Sequence, residues 1–177
     1  MGLYFYRVFG AATLDAGMYE GIEADRSVTG QAALTVLLSS LATGIGATAW
    51  FGMGPARLLA VSGIALVTWV AWAVLIFHIG TRILPEPGTR TNLGELLRTT
   101  GFAASPGFFQ VLCAIPPGAG FIIALTTTWM IGAMVIGVKH ALDYRSIGRA
   151  IAVCLMAAAL CLAVAFGLAV LLSHQVA

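Results

Sequence analysis

Residues 58–80, LLAVSGIALVTWVAWAVLIFHIG, hold no Asp, Glu, Lys or Arg, and the basic residues that bracket them are Arg57 and Arg82. A helix rises about 1.5 Å per residue, and the hydrocarbon core of a bilayer, about 30 Å thick, takes roughly 20 apolar residues. This stretch reads as a membrane span. The pattern recurs on both sides, near 31–51, 101–115, 118–138 and 151–173, with the charges almost entirely in the gaps. Four of the five stretches have the needed length, and 101–115 is short and carries Pro106. The sequence thus predicts an all-α polytopic membrane bundle of about five transmembrane helices over residues 31–177. An arm of residues 1–30, cytoplasmic or interfacial, precedes it.

Composition leads to the same class. The chain of 177 residues is 60% hydrophobic and 9% charged, against about 25% charged in soluble domains. One soluble core of this size could not hide so much apolar surface. A net charge of +2 without a basic run excludes nucleic acid as a partner. Cys113, Cys154 and Cys161 all fall inside apolar stretches and form no CxxC pair, so they read as packing residues.

Basic residues orient the bundle. Arg7 and Arg26 precede the first stretch; Arg82, Arg90 and Arg98 lie between the second and third; Lys139, Arg145 and Arg149 lie between the fourth and fifth. The other connections hold only Arg57. Positive charge favours the cytoplasmic side, which places the amino terminus inside and the carboxyl terminus outside.

Two segments outside the spans have helical patterns. In Leu3–Leu14 the apolar residues Phe5, Val8, Phe9 and Ala12 recur at helical spacing beside Tyr4 and Tyr6. Such a segment lies in the headgroup zone or packs on the protein's own helix ends. Arg7 and the acidic residues after it exclude a cleavable signal. In the second loop, Asn92 and Glu95 have the spacing of a capping box, predicting a helix over Asn92–Thr100. Its apolar face is Leu93, Leu96 and Leu97, with Glu95 and Arg98 on the polar side. Ser105-Pro106 reads as a second cap followed by the first residue of a helix. The third stretch is therefore expected as a helix from near Thr99 kinked at Pro106, or as a re-entrant segment.

The segment LLRTTGFAASPGFF (Leu96–Phe109), followed by Ile115-Pro116-Pro117-Gly118, resembles the Yip1 family of five-span membrane proteins, particularly its small bacterial members. YRVFGAATLDAGMYEGIEAD (Tyr6–Asp25) and ALDYRS (Ala141–Ser146) fit the same resemblance. Ala16 stands where such a start would carry proline. The resemblance implies a bacterial cytoplasmic membrane, a cytoplasmic amino terminus and five helices. It brings no catalytic residue, cofactor or metal site.

Chemistry is sparse along the chain. An ionisable group at the bilayer centre costs about 2.5–3.5 kcal/mol and marks a pathway, yet no stretch carries one near its middle. His78 with Arg82, and Lys139 with His140, stand at matching ends of the second and fourth spans. They form either a polar interfacial site or snorkelling anchors. Asp143 and Arg145 read as a solvated pair. Gln110 and Thr126–Thr128 are groups that make single interhelical hydrogen bonds. No HExxH, GxSxG, Walker loop or metal-spaced cluster occurs.

The spans do carry small residues in register: Ser40, Gly44 and Thr48 in the first, with Ala42 and Gly46 repeating beside them, Ala133 and Gly137 in the fourth, and Ala159, Ala163 and Gly167 in the fifth. In lipid, close backbone approach over small side chains drives helix association. These seams either close the bundle or meet a partner. The expected function is that of a non-enzymatic protein acting through helix packing, as an accessory subunit or membrane organiser. Its expected partners are the lipid bilayer and itself or another membrane protein. The alternative is a small-molecule or ion transporter.

Overall fold

The computed structural model describes residues 2–51, 54–115 and 118–176, with side-chain surroundings for these except 47–51, 61 and 165–176. The regular structure of the described residues is all helical, without strands. Helices α1 (Gly2–Ala12) and α2 (Ala16–Ala24) form an N-terminal hairpin. Then come α3 (Thr29–Phe51), α4 (Pro55–His78), α5 (Leu93–Phe102), α6 (Ala119–Ala141) and α7 (Ile147–Val176). A π-helical turn, Ile79–Ile83, extends α4. Four segments are long and apolar enough to cross a membrane: Arg26–Gly46, Pro55–Ile83, Ala119–Ala141 and Ile147–Val164.

The third apolar stretch is not one of them. The expected helix from Thr99 kinked at Pro106 is replaced by α5, a turn at Ala103–Ala104 and a 3₁₀ run over Ser105–Ala114. Pro106 has no N–H to donate and disfavours helical backbone in the residue before it, so α5 ends ahead of it. Ser105 does not cap the new run. The cap is Ala104, without a side-chain bond, and the Ser105 hydroxyl is buried and unpaired. The capping box at Asn92 forms as the spacing predicts. Glu95 N donates to Asn92 Oδ1 (3.1 Å) and Asn92 N donates to Glu95 Oε2 (2.8 Å).

Glycines fix how the passes lie. Gly101 meets Ala32, Gly107 meets Ser39, and Gly46 meets Gln110 and Cys113. Residues 101–113 therefore run beside α3 in the same direction. Helix α6 returns along them, with Trp129 stacked on Phe109, Met130 against Gly107 and Gly137 against Thr99. Helix α4 is likewise antiparallel to α3, with Leu58 near Gly44 and Trp69 near Gly101 and Ala32.

Two clusters make the core. One gathers Ala73, Ile76, Ile79, Leu96, Val138, Leu142, Tyr144, Ala150, Val153 and Ala157, joining α4–α7 at one end. The leucine face of α5 serves it, with Leu93 and Leu97 packed at its edge. The other joins the hairpin to the bundle through Ala11, Tyr19, Ile22, Val28, Ala32, Phe102 and Ala133.

Candidate functional site

The last turn of α6 carries Lys139 and His140, and its end is closed by a tight turn. Tyr144 N donates to Lys139 O (2.9 Å), with Asp143 in the left-handed region at φ 53°. This turn aims Asp143 and Tyr144 back toward α2. Lys139, His140, Asp143 and Tyr144 line a polar cavity of about 290 Å³ with Glu20 and Glu23. His140 Nδ1 lies 3.7 Å from Glu20 Oε1, and its ring stacks on Tyr19 at 6.3 Å. Burial raises the Glu23 carboxyl to about 7, reinforced by Asp143, Glu95 and Glu20 and opposed by Arg98. The cavity thus concentrates three carboxylates against one lysine and one histidine.

The four expected interfacial residues are not one site. His78 is exposed, with Nδ1 2.9 Å from the Val74 carbonyl and its ring edge-on to Phe77. Arg82 is exposed in the π-helical turn. Neither lines the polar cavity. The acidic members Glu20 and Glu23 are not legible beside Lys139 and His140 because they lie 116–120 residues earlier in the chain. Asp143, exposed like Arg145, makes no ion pair with it among the described residues. It faces the cavity, while the Arg145 backbone N–H donates to Glu86 Oε2 (3.0 Å).

Arg98 is the largest departure. Expected on a polar face, it is 4% exposed. Its Nε donates to the carbonyls of Ile22 and Glu23 (3.1 Å each), and Nη2 also donates to Glu23 O. It closes the open end of α2, where helix carbonyls have no partner of their own. A second clamp joins the loops. Tyr144 Oη lies 2.9 Å from Gly80 O and 2.8 Å from Leu84 O, and Arg149 pairs with Glu86 at 3.5 Å.

The small-residue seams separate cleanly. Gly44 and Gly46 are buried, facing Leu58 and the Gln110 backbone, so the α3 seam closes the bundle. Thr43 Oγ1 donates to Gln110 Oε1 across that seam (2.6 Å). Ala159 and Ala163 on α7 are exposed, and the Gly167 environment lies outside the described residues, as do Pro116 and Pro117 of the third connection.

A family model, the Yip1 domain, matches residues 15–168 of this fold. The chain belongs to the Yip1 family. No curated protein and no solved structure matches it. The Yip1 match takes in α2–α6, the first part of α7 and every residue of the polar cavity, while α1 lies ahead of it. Within the Yip1 bundle, two apolar cavities of about 390 and 410 Å³ share a wall of Trp72 and Met134. The Trp72 Nε1–H is buried beside them without an acceptor. Among the described residues, no group of three or more His, Cys, Asp or Glu is placed to hold a metal ion.

Proposed function

We propose that this integral membrane protein is non-enzymatic and works by helix packing, as an accessory subunit of a membrane assembly or an organiser of the membrane. One observation carries this reading: the α3 seam is spent inside the bundle, while the α7 seam faces outward at Ala159 and Ala163. Helix α7 packs on the bundle through Ala150, Val153 and Ala157 and leaves Leu155 and Leu162 exposed. In lipid, a small-residue face is where another helix's backbone comes close. The partner proposed for it is a second copy or another membrane protein.

A bacterial cytoplasmic membrane with the amino terminus inside is part of the proposal. Eight of the nine Lys and Arg residues, all but Arg57, lie in the amino-terminal arm, the second connection and the fourth. The contacts of Glu86 with Arg145 and Arg149, and of Arg98 with Glu23, draw these segments to one end. Positive charge of that kind favours the cytoplasmic side.

The test is Ala159→Leu with Ala163→Leu, read by energy transfer between labelled copies in liposomes and by co-purification from the native membrane. Both residues are exposed, so the monomer should keep its melting temperature while association falls. Substrate-dependent flux in liposomes, lost on changing Gln110, would establish the transport alternative and overturn the packing role.

A further inference from the structure

Helix α1 is apolar on both faces. Tyr4, Val8 and Ala11 pack inward, while Leu3, Phe5, Tyr6 and Phe9 point away from the protein with 62–70% exposure. A helix that is hydrophobic all round belongs in a core or in a membrane. At eleven residues it is about 16 Å long and cannot cross a bilayer.

Two hydrogen bonds set its level. The Tyr4 hydroxyl is 3.1 Å from Thr35 Oγ1, six residues into α3 and so about 9 Å from that helix's start. Trp129 Nε1 donates to Ala12 O at 2.6 Å. Trp129 is ten residues from both Ala119 and Lys139, about 15 Å from each, halfway along α6. Helix α1 therefore lies alongside the spans instead of over their ends.

The turn after it meets most of its own backbone needs, as backbone away from water must, while the Asp15 carboxylate that caps α2 there is exposed. The N–H groups of Thr13, Leu14, Asp15 and Tyr19 bond to Phe9, Ala11, Gly10 and Asp15 carbonyls. Met18 N donates to the Asp15 carboxylate (3.0 Å), and the Thr13 hydroxyl lies 3.1 Å from the Phe9 and Gly10 carbonyls. The Tyr19 hydroxyl lies 3.1 Å from Ala11 O and 3.2 Å from Ala133 O. The one charge on α1, Arg7, reaches away to Asp25 (2.8 Å) and Gln31 (3.2 Å) near the start of α3, as a snorkelling side chain does.

We infer that α1 is sunk into the leaflet at the charged end of the bundle, with Leu3, Phe5, Tyr6 and Phe9 seated among lipid acyl chains. The occupant follows from continuity. The outward face of α1 lies at the level of the exposed apolar residues Leu34 and Leu38 on α3 and Ile131 on α6, which are the lipid-facing belt of the spans. The hairpin then climbs back to the polar end through α2, where Glu20 meets His140. This fills one leaflet and leaves the other untouched.

The test places a nitroxide at Phe5→Cys, Phe9→Cys, Ile131→Cys or Arg90→Cys, one at a time, in full-length protein whose native cysteines are replaced. The probe membrane is phosphatidylcholine, with oxygen and a nickel chelate as colliders. Phe5 and Phe9 should favour oxygen over nickel several-fold, like Ile131 and unlike Arg90. A nickel preference would place α1 in water, and protection from both colliders would place a protein surface over it; either overturns the inference. The unaltered chain gives a second reading with a phospholipid carrying a diazirine on its acyl chain. Label should fall within residues 2–12, and label on α6 without label on α1 would also overturn it.

Discussion

Gly46 on α3 lies so close to the backbone carbonyl of Gln110 that a methyl group there would overlap the oxygen, with the Cys113 Cβ 3.1 Å from the same point. A backbone oxygen inside a 3₁₀ run cannot swing aside as a side chain can. Gly46→Ala should therefore cost about 1–3 kcal/mol, the range for overpacking a filled interior. Gly44 faces only the flexible end of Leu58, so Gly44→Ala should cost less. Thermal unfolding in detergent compares the two. Equal melting temperatures would mean that the third pass does not bear on α3.

Arg98 holds the carbonyls of Ile22 and Glu23, at the negative end of the α2 dipole. Arg98→Leu leaves those carbonyls buried without a donor, a loss of about 1–3 kcal/mol. The effect should be local first: hydrogen exchange over residues 16–24 should speed up more than exchange in α3 or α6. Arg98→Lys should restore only part of the protection, because an ammonium is a point charge without the guanidinium's fork. Unchanged exchange in α2 for Arg98→Leu would show that the contact holds nothing.

The apolar runs at 31–51, 58–80, 118–138 and 151–173 were legible because length and charge exclusion act on each helix alone, as did the Asn92–Glu95 cap. The third pass was not, because its form depends on α3 lying against Gly101 and Gly107. Helical spacing correctly put Leu93, Leu96 and Leu97 on the buried side of α5. It put Arg98 on the wrong side because α2, a separate element, covers that face and supplies the acceptors. The polar cavity was half visible: Lys139 and His140 mark a helix end, but their partners Glu20 and Glu23 arrive from the hairpin. Local rules found the elements, and contacts between distant elements made the site.

Glu23 sets a pH dependence. Its carboxyl is raised from 4.5 to about 7 by burial first, then by Asp143, Glu95 and Glu20, with Arg98 opposing. Between those values the folded protein holds a proton that the unfolded chain has lost, so stability falls as pH rises through the window and the loss is complete above about 7. Glu23 therefore pulls the melting temperature in detergent down from pH 5 to pH 8. His140, whose pKa is lowered by burial first and then by Lys139, pulls it up over the same range. Glu23→Gln removes the charge, and should raise the melting temperature at pH 8 while changing it little at pH 5. Parallel pH profiles for the two proteins would assign the dependence to other groups.

Arg57 and Arg90 test the orientation from opposite ends. Both are exposed; Arg57 is in the first turn of α4 and Arg90 precedes α5 in the second connection. Leu58 beside Gly44 places Arg57 at the far end of α3 from Thr29, whereas the segment holding Arg90 is tied through Glu86 to Arg149 at the charged end. If positive charge sets the inside, a cysteine at 57 should react with an impermeant maleimide added to intact cells, and one at 90 only after the membrane is opened. The native cysteines are replaced in both proteins. Neither substitution removes a buried contact, so folding should be unaffected. Reaction at 90 but not at 57 in intact cells would invert the topology, and reaction at both would mean that α4 does not cross.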